Sequence, residues 1–111
     1  MPKTDQRDLF PGALEIMILQ TLRRRPLHGY ALVQDLKRTS GLRIEEGSLY
    51  PALQRMLRAG WLSAEWDISA TNRQIRVYRL TTKGRRHMEK EVSSFERMFR
   101  AMARVLAVAE P

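Results

Sequence analysis

The stretch Glu46-Gly47-Ser48-Leu49-Tyr50-Pro51-Ala52-Leu53-Gln54-Arg55-Met56-Leu57-Arg58-Ala59-Gly60 decides the fold. It reads as one short amphipathic helix, because Leu49, Leu53, Met56 and Leu57 recur at three- and four-residue spacing and so share one face. Tyr50, Gln54, Arg55 and Arg58 lie elsewhere on the cylinder. Arginine pairs bidentately with guanine and glutamine with adenine in a major groove, while the hydroxyls of Tyr50 and Ser48 are suited to phosphates. Taken alone, the same pattern also describes an ordinary helix with a solvated polar face. Ser48 as N-cap places Pro51 in the first turn, where its missing N–H costs nothing. Gly60 is the expected stop.

Upstream, Pro11-Gly12 breaks the chain, and Ala13 to Arg25 reads as a helix. Leu14, Met17, Ile18 and Leu22 form its apolar stripe, widened by Ile16 and Leu19. Arg23-Arg24-Arg25 suits the negative end of the helix dipole better than it suits direct contact with a partner. Pro26 ends the helix. Leu27-His28-Gly29-Tyr30 reads as a tight connection into a second helix over 29–39, with Tyr30, Leu32, Val33 and Leu36 on its buried side. Leu42-Arg43-Ile44 is an extended link in which Leu42 or Ile44 plugs the core. The second and third helices therefore have the spacing of a helix-turn-helix pair.

Downstream of Gly60 the period changes. Trp61 to Trp66 alternates, with Leu62, Ala64 and Trp66 on one side, and Gln74 to Leu80 alternates as well. Both are strands, joined by the polar segment Asp67 to Arg73 into a β-hairpin. Arg73 and Arg76 fall at or near its tip. A basic hairpin beside a helix-turn-helix is a wing, able to lie along a phosphate backbone or enter a minor groove.

Thr81 or Thr82 then caps a last helix that runs to about Ala107. Met88, Val92, Phe95, Phe99, Met102, Leu106 and Ala109 are spaced 4, 3, 4, 3, 4, 3, the seam of a coiled coil. A helix of this length spans roughly 37 Å, more than the rest of the chain can cover. Its simplest partner is a second copy of itself in a two-fold dimer. The expected fold is thus mainly α with a small β-hairpin. It comprises a flexible arm over 1–10, a winged helix-turn-helix DNA-binding domain over 11–82 and a dimerisation helix over 83–111.

Composition narrows the functions. The 111 residues suffice for one domain, and the formal net charge of +8 favours a polyanionic partner. The absence of cysteine excludes disulfides, thiolate metal sites and a cysteine nucleophile. Two distant histidines, His28 and His87, make no metal site; His28 suits a local bond or a phosphate. There is no phosphate loop, so neither a catalytic site nor a cofactor is expected. No apolar run reaches the ~18 residues of a membrane helix. The first residues carry charges of both signs and make no secretory signal, so a cytoplasmic location is expected.

The motifs also match a known family. Through His28-Gly29-Tyr30-Ala31-Leu32, Glu46-Gly47-Ser48-Leu49-Tyr50-Pro51-Ala52-Leu53, Arg58-Ala59-Gly60-Trp61-Leu62 and Val77-Tyr78-Arg79-Leu80-Thr81-Thr82-Lys83-Gly84, the chain resembles the PadR-like transcriptional regulators, specifically the short subfamily with one C-terminal helix. The resemblance implies a homodimer bound to a pseudo-palindromic double-stranded operator, usually as a repressor. It implies that Ser48 and Tyr50 face the major groove, that Tyr30 approaches the backbone, and that the wing adds phosphate or minor-groove contacts. Some short members hold a small hydrophobic effector at the dimer interface, stacked on a tryptophan of the last helix. Here both tryptophans lie outside that helix, and Phe95 and Phe99 occupy the seam instead. A second functional reading is an adaptor whose basic face binds an acidic protein, the winged domain serving only as a scaffold.

Overall fold

The structure, a computed structural model, describes residues 12–108. The N-terminal arm expected over 1–10 and the last seam position, Ala109, lie outside the described residues. Helix α1 (Ala13–Arg24) begins after Gly12, whose φ of +84° is in the left-handed region that glycine adopts without a steric penalty. Ile18, Leu19 and Leu22 carry its buried side. Leu14 and Met17 pack at the edge of the core.

Helix α2 (Gly29–Ser40) buries Leu32, Val33 and Leu36 as expected. Tyr30 departs from the expected pattern: it is 60% exposed. At 100° per residue it sits well over a quarter-turn from the centre of the buried face, and in the first turn its side chain is directed outward. Gly41, at φ +71°, ends the helix by donating its N–H to the Lys37 carbonyl. In the following link it is Ile44 that plugs the core, 1% exposed, while Leu42 is only half-buried.

Helix α3 (Glu46–Arg58) buries Leu49, Ala52, Leu53 and Met56 completely; each of the three long side chains contributes about 2 kcal/mol through removal from water. It starts earlier than a Ser48 cap would allow. Glu45 is the N-cap, its carbonyl accepts the N–H groups of Ser48 and Leu49, and Pro51 lies inside the helix. Pro51 is on the exposed side, where water can reach the carbonyl that its missing N–H leaves without a helix partner. The far end is the expected glycine stop. Gly60, at φ +79°, donates to the Leu57 carbonyl and Trp61 donates to that of Met56, the paired bonds of a Schellman motif.

Strands β1 (Leu27–His28), β2 (Leu62–Ile68) and β3 (Gln74–Leu80) form one antiparallel sheet in the order β1-β3-β2. The expected hairpin is β2-β3. It pairs from Leu62 with Leu80 out to Ile68 with Gln74 and closes through Ser69–Arg73, with Asn72 left-handed at φ 62°. The segment read as a tight connection instead contributes the third strand, Leu27 opposite Tyr78 and His28 opposite Val77.

Helix α4 (Thr82–Leu106) is capped by Thr81, whose Oγ1 accepts from the Gly84 N–H at 2.9 Å and donates to the Gly60 carbonyl at 2.6 Å. That hydroxyl therefore ties the start of α4 to the end of α3. The approach is close enough that a Cβ on Gly84 would lie 2.0 Å from the Trp61 carbonyl oxygen. From there α4 passes α1. Met88 is 2% exposed and Val92 packs against the core. Farther along, Phe99, Met102 and Leu106 are 55%, 38% and 81% exposed, and the molecule measures 64 × 34 × 21 Å. The first part of the heptad seam is thus satisfied within the domain and the remainder is bare. No described helix is long and apolar enough to cross a membrane.

Candidate nucleic-acid interface

Burial of Leu49, Leu53 and Met56 fixes which side of α3 faces outward. At 100° per residue the opposite stripe is Gly47, Pro51, Gln54 and Arg58, all of them exposed. Ser48 flanks the stripe on one side and Tyr50 on the other. Gln54 and Arg58 thus present an amide and a guanidinium to solvent one turn apart. Arg58 has no carboxylate partner among the described residues.

Tyr50 is 40% exposed, and its hydroxyl lies over the start of α2, where a Cβ on Gly29 would meet it at 2.6 Å. A larger residue at 29 would push the ring aside, so Gly29 sets the approach of the two helices. His28, just before it, is the N-cap of α2: its Nδ1 accepts the Ala31 N–H at 3.3 Å. This is the local bond that suited it in sequence. Tyr30 projects beside it, and the two border an open groove of about 510 Å³ with Arg25, Gln34 and Arg38.

Arg55 lies elsewhere. It points toward α1 and pairs with Glu15 at 2.7 Å, so the structure directs it away from the outward stripe. Sequence periodicity put Arg55 and Arg58 on the polar side together; three residues along a helix still leaves them about 60° apart, enough for different neighbours. A second ion-pair cluster was not legible in the sequence. Asp35, 7% exposed on α2, accepts from Arg24 of α1 at 3.1 Å and also from Arg38. One member of the arginine triplet is therefore used to clamp α1 to α2.

On the wing, Arg73 is exposed within the loop. Its backbone N–H donates to the Ser69 Oγ and its carbonyl accepts from Ser69 N. Arg76 is not at the tip. It stands directly opposite Trp66, and its guanidinium carbon lies 5.9 Å from the Trp66 ring and 6.0 Å from the Tyr78 ring, within cation–π range of both. Burial pushes the Tyr78 phenol above its ordinary value, with Arg76 pulling it down and Tyr50 raising it. Tyr50 and Tyr78 are therefore electrostatic neighbours, and the inner face of the wing adjoins the N-terminal half of α3. Trp66, counted in the sequence only as the inward side of a strand, is 69% exposed.

The remaining expected residues form a separate surface. Met98, Phe99, Met102, Val105 and Leu106 expose an apolar face on the distal half of α4. Phe95 and Phe99 lie in ring contact at 5.9 Å. At the other end of that helix, His87 stacks flat on Trp61, centroids 3.6 Å apart and planes 12° from parallel, joining the end of α3 to the base of α4. Among the described residues no group of three or more histidine, aspartate or glutamate side chains is placed to hold a metal.

Comparison with known proteins bears on this arrangement. A family model described as the transcriptional regulator PadR-like family matches residues 18–90. The chain is 33% identical over 94 residues to the transcriptional regulator Rv3488 of Mycobacterium tuberculosis, covering 85% of this chain and 86% of that one. Among solved structures, a PadR-like transcriptional regulator from Bacillus cereus matches with a TM-score of 0.80 at 25% identity, over 89% of this chain and 96% of that one. Bacillus subtilis PadR in complex with operator DNA matches in fold, with a TM-score of 0.65 at 22% identity, over 89% of this chain and 49% of that one.

Proposed function

This chain belongs to the PadR-like family of transcriptional regulators, and from that premise we propose that it binds a pseudo-palindromic DNA operator as a homodimer and represses transcription without catalysis of its own. The observation that carries the reading is the exposed stripe of α3, where Gln54 and Arg58 stand between Ser48 and Tyr50 beside a wing that carries arginines. An α-helix fits the major groove, and this stripe offers the bidentate groups that read guanine and adenine there. The +8 charge supplies sequence-independent affinity through counterion release.

Dimerisation follows from the bare distal half of α4. A contiguous apolar face of this kind is covered in an assembly, and self-pairing by an a/d seam is what its spacing encodes. A two-fold pair places two copies of α3 at a fixed separation; binding to one side of a duplex calls for about 34 Å, one helical turn. Gel retardation with the DNA upstream of the chain's own gene tests the function. A discrete complex that survives excess unrelated duplex is the expected result. Only salt-sensitive smearing, together with capture by an acidic protein, would favour the adaptor.

A further inference from the structure

The inner face of the wing changes character halfway along. Leu62 and Tyr78, near the core, are 3% exposed, whereas Trp66 and Ile68, farther out on the same face, are 69% and 64% exposed. Single exposed hydrophobics are common on any surface. Here two of them share one strand face with a guanidinium held near two rings. Charge is sorted along the same division. Strand alternation sends the carboxylates of Glu65 and Asp67 to the outer face, while the inner face of the hairpin carries Arg76 and no acid. The outer face suits water. The inner one combines an apolar ridge with a cation and suits a polyanion that itself has apolar edges.

A DNA minor groove meets that description, since deoxyribose edges line it and phosphates rim it. Direction agrees: Tyr78 lies between Arg76 and Tyr50, so this face opens beside the N-terminal half of α3. We propose that Trp66 is the wing's main contact with the operator, its indole packed on the deoxyribose edge of the minor groove that flanks the bases met by α3, with Arg76 held against it to meet an adjoining phosphate. The inference rests on the DNA-binding reading above and adds to it the residue, the groove and the kind of contact.

An apolar contact with sugar releases no counterions, whereas a phosphate contact does, so the two residues are separable. The probe is a duplex that the wild-type dimer retains from a randomised pool. Trp66→Ala is expected to weaken binding to it about tenfold and leave the salt slope unchanged; Arg76→Ala is expected to make the slope shallower by about one. The chain has only two tryptophans. Adding the duplex is therefore expected to change the emission of the wild type but not that of Trp66→Phe, which keeps most of the affinity. Because Trp66 is exposed, an unchanged melting temperature is expected for both of its variants, separating lost contact from lost fold.

Wild-type affinity in Trp66→Ala, with emission unmoved by the duplex, would overturn the inference while leaving the regulator reading intact; the face would then be open to a protein partner. Weakened binding with a shallower salt slope would also overturn it, since Trp66 would then act only by supporting Arg76. If no duplex is enriched from the pool, the DNA-binding reading itself fails, and this contact with it.

Discussion

The Arg55 guanidinium lies 2.7 Å from the carboxylate of Glu15, a residue 40 positions earlier, and so joins the last turn of α3 to the first turn of α1. Two arginines three residues apart thereby acquire different roles, Arg55 as a tether between helices and Arg58 as part of the outward stripe. Replacing each with alanine separates them. Arg58→Ala is expected to weaken operator binding and lower its salt slope by about one, whereas Arg55→Ala is expected to leave the slope unchanged. Because the Arg55 side chain is 55% exposed, losing its pair costs stability at most about 0.5 kcal/mol. Titrations of both variants across a salt series check this; a shallower slope in Arg55→Ala would place that guanidinium on DNA.

Gly84 is constrained by approach distance. A Cβ there would lie 2.0 Å from the Trp61 carbonyl and 2.8 Å from a Leu80 methyl, and neither the backbone nor the N-cap at Thr81 can yield cheaply. Gly84→Ala is expected to destabilise the fold by about 3 kcal/mol, the upper end of ordinary overpacking. Urea denaturation measures it. A loss below about 1 kcal/mol would mean that the base of α4 can lift away from the α3 turn.

The dimer reading predicts an asymmetry along α4. Phe99 is 55% exposed and Met102 38%, whereas Met88 is 2% exposed. Phe99→Glu with Met102→Glu is therefore expected to give a folded monomer with native helical content. Met88→Glu is expected to unfold the domain, by burying a charge without a partner. Sedimentation and circular dichroism distinguish the two outcomes. A Phe99→Glu, Met102→Glu variant that still sediments as a pair would move the interface off this seam.

Tyr78 predicts an alkaline limit. Burial raises its pKa above 10.0 in the folded chain, against the smaller opposing effect of Arg76. The neutral phenol is the form that the fold favours, so its contribution is fully present below pH 10 and is lost as pH rises through the higher folded value. Stability measured on either side of pH 10 should fall in the wild type, and Tyr78→Phe should lose less over the same interval. Equal losses would assign the alkaline transition to other groups.

Much of this molecule was legible without coordinates, and the legible part is local. The 3.6-residue period of Leu49, Leu53 and Met56, the two-residue period of Gln74 to Leu80, the stops at Gly41 and Gly60 and the cap at Thr81 each depend on a few adjacent residues, and each appears where its pattern placed it. The family blocks added the identity of the winged domain. The same locality explains the misses. Leu27-His28 carries too few residues to declare a strand, and becomes one only because β3 lies alongside to accept it. Ser48 is a chemically good cap, yet the helix begins at Glu46.

Periodicity separates a polar side from an apolar one; it does not say what each polar group meets. That was decided by tertiary packing. Glu15 and Arg55 are joined because α1 crosses the end of α3, and Asp35 gathers Arg24 and Arg38 because α1 and α2 adjoin. Trp66 is exposed because β2 extends past the last residue that the helices can cover. Turns, caps and repeats arise from short-range sterics and hydrogen bonding, which any segment carries with it. A partner distant in the chain exists for a side chain only after the burial of Leu49, Leu53, Met56 and their neighbours has brought the elements together.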